Sequence, residues 1–123
     1  MTRRSPEAQL QQSLAEHLRW RAKPDVVWLH PANGEARDKL TGAKLKRMGV
    51  LPGASDLLFW HQGNSFALEL KAPGGRPTAA QLDFLARFNE AGGHSAWADD
   101  IDRALACLDA WGLLRSSSRR AAR

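Results

Sequence analysis

The stretch SDLLFWHQGNSFALELK, Ser55 to Lys71, reads as two strands joined by a tight turn. With a two-residue turn at Gln62–Gly63, Asp56 faces Glu69, Leu58 faces Ala67 and Trp60 faces Ser65. Side chains alternate between the two faces of a strand. One face therefore carries Leu57, Phe59, Phe66, Leu68 and Leu70, all apolar, and must lie on a core. The other carries Asp56, Leu58, Trp60, Ala67, Glu69 and Lys71. Both acids and the lysine fall at one end of that second face.

Residues paired across strands have Cβ atoms about 4.5–5.5 Å apart, and like charges so placed are normally avoided. Two carboxylates about 5 Å apart repel by roughly 3 kcal/mol at an effective dielectric near 20. Something positive is expected between them. Lys71 can supply one charge; a hard cation such as Mg²⁺ or Mn²⁺ suits oxygen ligands and works through one or two carboxylates plus substrate phosphate. The other reading is a salt-bridged hairpin end, with Asp56 bonded to nearby loop amides. A slip of one residue in register would separate the acids.

Working outward, SPEAQLQQSLAEHLRW starts a helix with Ser5 as N-cap, Pro6 at the first position and Glu7 in the first turn. Leu10, Leu14 and Leu18 make its apolar stripe. DVVWLH is a strand and PANG a turn. A short basic helix is expected near Ala43 to Met48, stopped by Gly49. Beyond the hairpin and the loop APGGRP, TAAQLDFLARFNEAGG is a helix with Leu82, Leu85 and Phe88 on its apolar face. HSAWA is a short strand, and DDIDRALACLDAWGLL a helix with an acidic first turn. The order α-β-(α)-β-β-α-β-α implies an α/β fold, a small central mixed β-sheet flanked by helices.

The 123 residues suit a single domain, expected over 1–115. The C-terminal RSSSRRAAR holds four arginines and no acid, and the tail at 116–123 is expected to be disordered. A formal charge of +5 favours a polyanionic partner such as nucleic acid. A lone cysteine, Cys107, excludes an intrachain disulfide and a Cys-based zinc site, and its apolar helical setting marks a buried structural thiol. No apolar run approaches the ~18 residues of a membrane span, and the N-terminus lacks the apolar region of a signal peptide. A cytoplasmic, reducing setting without membrane partners is the expectation.

GVLPGASDLLFW followed by ALELKAPGGRPTAAQLDFL resembles the PD-(D/E)XK nucleases, and among them the virus-type replication-repair nuclease (VRR-NUC) domain. That family combines a glycine-rich loop, an Asp opening a strand, Glu-x-Lys on the next strand and a Gln at the head of a helix. Asp56, Glu69, Lys71 and Gln81 take those places, Glu7 matches the acid of the first helix, and WLHPANGEAR resembles the family's His-x-x-Asn-Gly segment. The likeness runs from about Glu7 to Ala98; Ser55 stands where the commonest form has Pro.

The resemblance implies a fold of central mixed sheet and flanking helices, and phosphodiester hydrolysis with Mg²⁺ or Mn²⁺. Asp56 and Glu69 would bind the metal with the Leu70 carbonyl, and Lys71 would orient or deprotonate the attacking water or steady the developing charge. Gln81 would sit near the reacting centre, but TAAQ is also a capping box, so the two roles compete for one side chain. Glu7 is either a site acid or a first-turn acid favoured by the helix dipole. His30, Asn33, Arg37, Lys39, Lys44, Lys46 and Arg47 could line a DNA track or form a solvated face. His17, His61 and His94 have no evident partner and are taken as structural.

The leading functional expectation is a structure-specific DNA endonuclease, with a Holliday junction among its substrates, in a bacterial or phage-infected cell. Cutting both sides of a symmetric junction requires two sites, hence a homodimer or a higher even oligomer. The alternatives are a non-catalytic nucleic-acid-binding module on the same fold, and a sequence-specific restriction-type enzyme, for which so short a chain has little room.

Overall fold

The hairpin forms in the register its sequence dictates. In the structure, a computed structural model, residues 5–31, 39–49, 51 and 53–116 are described, with side chains at 39–42 excepted. In chain order the elements are α1 (Pro6–Arg21), β1 (Val27–Leu29), α2 (Lys39–Arg47), β2 (Leu57–His61), β3 (Asn64–Leu70), α3 (Ala79–Glu90), β4 (His94–Ala98) and α4 (Ile101–Ala110). Leu58 pairs with Ala67 and Trp60 with Ser65. Gln62 and Gly63 both have positive φ, 51° and 82°, the type I′ geometry that matches strand twist.

The four strands lie in the order β1-β2-β3-β4. β1 pairs antiparallel with β2 and β2 with β3, while β4 runs parallel to β3. The sheet is therefore mixed, as expected. The parallel pair needs a crossover, which α3 provides. Strand β1 is shorter than the sequence suggested and lies at an edge, and α2 starts four residues before Ala43.

Leu57, Phe59, Phe66, Leu68 and Leu70 are all buried on one face, as their alternation requires. Leu14 and Leu18 of α1 and Ala104 and Leu108 of α4 cover them. Each fully buried leucine or phenylalanine contributes about 1.5–3 kcal/mol. Beyond α4, Leu113 and Leu114 also join this core. Hydrogen bonds from Lys23 N to Leu113 O and from Arg115 N to Arg21 O tie that segment to the end of α1.

Helix α3 covers the opposite face. Ser95 stands beside Ala67 in the sheet and donates to the Leu85 carbonyl of α3 at 3.0 Å. One residue of its expected apolar face is misplaced: Leu82 is 50% exposed, and Phe84 turns inward beside Leu85 and Phe88. The inward positions are 81, 84, 85 and 88, so the stripe starts one residue earlier than the leucine pattern suggests. Gln81 is thereby the polar head of the buried stripe.

Two of the three histidines left without partners have them. His61 Nε2 lies 3.0 Å from Asp25 Oδ1, and His94 stacks on Phe66 at 5.2 Å between ring centroids. Cys107 is half-buried rather than fully buried, and burial pushes its thiol up to about 11, which leaves it a poor nucleophile. Among the described residues no helix is long and apolar enough to cross a membrane.

Candidate active site

The ladder between β2 and β3 stops at Leu57–Leu68, one pair short of the acids. Asp56 lies at a bend just before β2, and its side chain continues the pairing: Asp56 Oδ2 accepts the Leu70 amide at 2.8 Å. His30 Nδ1 donates to the Asp56 carbonyl at 2.6 Å, which fixes the tautomer and pins the bend to the end of β1. Glu69, on β3, is only 2% exposed. The expected juxtaposition of the two acids holds, with a side-chain bond replacing the last rung.

Burial pushes Glu69 up to about 8, the Asp56 carboxylate adds to the effect, and Lys71 opposes it. Asp56 is also raised, chiefly by burial and against the pull of the Leu70 amide. Two neighbouring carboxylates out of water cannot both ionise cheaply. Glu69 Oε1 is buried and receives no hydrogen bond, and the proton held on this carboxyl can be shared with the neighbouring Asp56.

Lys71 is the hub of the remaining contacts. Its ammonium lies 3.1 Å from Gln81 Oε1, 3.4 Å from Glu7 Oε2 and 3.5 Å from Glu69 Oε2. The side chain is 12% exposed, so the tip is held among these three. The competition expected at Gln81 does not arise. Its Oε1 accepts both the Thr78 amide, at 2.8 Å, and Lys71 Nζ, so one oxygen closes the capping box and positions the lysine. Glu7 likewise serves both readings, as a first-turn acid of α1 and as a neighbour of Lys71.

Glu7, His30, Asp56, Glu69 and Gln81 all line one cleft of about 700 Å³. Two further lining residues escaped the sequence reading, Gln11 and Ser55. Both carry a buried oxygen without a partner. The signal for Gln11 was its spacing: Glu7, Gln11, Leu14 and Leu18 form one helical stripe, polar over the cleft and apolar over the core. For Ser55 the only signal was its place where the commonest form of the resembling family has Pro, a residue that shapes the loop.

Among the described residues, His30 is the one expected nucleic-acid residue that reaches the cleft. Lys44, Lys46 and Arg47 are exposed in the last turn of α2 and do not line it. Lys39 opens α2, with its side chain outside the described residues. Asn33, Arg37 and, apart from Ser116, the arginine-rich tail also lie outside them.

Among the described residues no group of three or more His, Cys, Asp or Glu side chains could by itself hold a metal ion. Of the three acids that line the cleft, Asp56 and Glu69 form a buried close pair, and Glu69 Oε1 receives no hydrogen bond. That donor set suits an oxygen-seeking ion bound through one or two carboxylates, with water and substrate completing its shell, as Mg²⁺ prefers.

No family model matches the chain, and no curated protein matches it by sequence. Among solved structures it is similar to a VRR_NUC domain protein, with a TM-score of 0.62 and 20% identity over 88% of each chain. The chain thus has a VRR-NUC-like α/β fold.

Proposed function

We propose that this VRR-NUC-like chain is a divalent-metal-dependent, structure-specific DNA endonuclease. One observation carries the reading: a carboxyl buried against a second carboxyl, with one oxygen that receives no hydrogen bond and a lysine at 3.5 Å, opening on a cleft. A salt-bridged hairpin end would not bury one carboxyl against another so that burial and its neighbour both hold it protonated.

Asp56, Glu69 and the Leu70 carbonyl would hold Mg²⁺ or Mn²⁺, which supplies charge neutralisation on the phosphate and a more acidic water. Lys71 orients the attacking water or stabilises the charge developing on the phosphate oxygens. Gln81 fixes the lysine's reach, and Glu7 completes the ring around its ammonium. His30 holds the Asp56 backbone in place. The exposed Lys44, Lys46 and Arg47 and the net charge of +5 suit a nucleic-acid backbone outside the cleft. Branched DNA, a four-way junction included, is the substrate proposed first, cut by a homodimer because a symmetric junction presents two equivalent strands.

The test is a panel of labelled linear, flapped and four-way DNAs with Mg²⁺, Mn²⁺ or chelator, run on wild type and Lys71→Ala. Cleavage should need the ion and favour branched DNA. Lys71→Ala should lose cleavage yet bind DNA nearly as well. Activity that survives chelation removes the metal mechanism. DNA binding by wild type with no cleavage of any substrate turns the reading to a non-catalytic binding module.

A further inference from the structure

We infer that Gln11 and Ser55 hold the water shell of a divalent cation seated on Asp56 and Glu69. The inference rests on the metal-dependent reading above and assigns two residues to that ion which the sequence pattern had left out. Three side-chain oxygens in the cleft are buried and receive no hydrogen bond: Gln11 Oε1, Ser55 Oγ and Glu69 Oε1, the last beside Asp56. They come from α1, from the loop before β2 and from β3, so separate elements bring them to one place. Ser55 is 1% exposed and Glu69 2% exposed, so bulk water does not serve them.

The chemistry of the three selects the ligand. All are acceptors; with Glu69 ionised, as a cation would hold it, only the Ser55 hydroxyl can also donate. A phosphate oxygen brings no proton and would satisfy Ser55 alone. A strongly hydrated cation brings what all three lack: positive charge for the carboxylate, and water O–H groups pointing outward to the amide oxygen and the hydroxyl. Mg²⁺ dehydrates reluctantly and keeps several of its waters when bound. Groups that receive such waters orient the ion and typically set its affinity by about 10–100-fold.

Mn²⁺ uptake by the full chain, followed by electron paramagnetic resonance, tests this. Glu69→Gln should abolish uptake. Gln11→Met, which keeps the side-chain shape without the amide oxygen, and Ser55→Ala should each weaken it about tenfold. Gln11→Glu, a stronger acceptor in the same place, should tighten it. Ser55→Ala should also raise the melting temperature of the metal-free protein, because it removes an unpartnered hydroxyl; weaker uptake in a more stable protein is not unfolding.

Wild-type affinity retained in both Gln11→Met and Ser55→Ala overturns the inference while leaving the metal-dependent reading intact. So does a Gln11→Glu variant weakened as much as Gln11→Met. A wild-type chain that takes up no Mn²⁺ overturns both.

Discussion

Glu69 is where the site's electrostatics concentrate. Burial first, and Asp56 second, lift its carboxyl from 4.5 to about 8. The folded, metal-free chain therefore holds a proton across a range in which the unfolded chain has released it. Stability from this group is complete below the unfolded pKa and is lost as pH rises through about 8. Asp56 is raised too and acts in the same direction. The melting temperature of the metal-free protein should fall between about pH 5 and pH 8, and Glu69→Gln should flatten most of that slope. A second prediction separates the two jobs of Gln81. Thr78→Ala removes the acceptor for the Gln81 amide but leaves the Lys71 contact. It should cost about 1 kcal/mol in urea unfolding, with single-turnover cleavage close to wild type. Gln81→Ala breaks both the cap and the lysine's tether, and should add a rate loss of about 10–100-fold.

At the scale of elements, the site depends on how closely the loop before β2 meets the start of α3. Gly53 has φ +81°, and a Cβ there would lie 2.7 Å from the Ala80 carbonyl oxygen. Gly53→Ala should cost about 1–3 kcal/mol of backbone strain, with the steric clash in addition. It should also push Ser55 and Asp56 away from Gln81, so urea unfolding and Mn²⁺ uptake should worsen together. Helix α3 shows why its apolar face was misread. Leucine at 82 matched a periodic pattern, but the helix is pinned by its capping box and by Ser95 on Leu85, which rotates Leu82 outward and Gln81 inward. Likewise β1 is an edge strand with Val27 62% exposed, so its β-branched sequence did not mark burial.

For the whole molecule, the proposed function assigns the ion to the polar cleft and the nucleic-acid backbone to the basic last turn of α2. The prediction at this scale is a salt dependence. Lys44→Ala, Lys46→Ala and Arg47→Ala should each weaken DNA binding across all sequences and shapes, lowering the slope of log K against log salt by about 1 apiece if each meets a phosphate. Unchanged slopes would place the DNA elsewhere on the surface. Mn²⁺ uptake should be unaffected, since none of the three lines the cleft.

The sequence by itself determined the hairpin and much of what surrounds it. A turn pair able to take positive φ and a strict alternation of side chains leave one register, and that register puts Asp56 and Glu69 at one end of one face. The caps at Ser5 and Thr78 and the element order were legible for the same reason: their causes lie within a few residues of chain. Only the tertiary structure decided that Gln81 serves the cap and the lysine at once, and that Gln11 and Ser55 border the acids. Those relations join residues far apart in the chain. They depend on the angle at which α1 and α3 dock against the sheet, which the packing of the whole core fixes and no local pattern records.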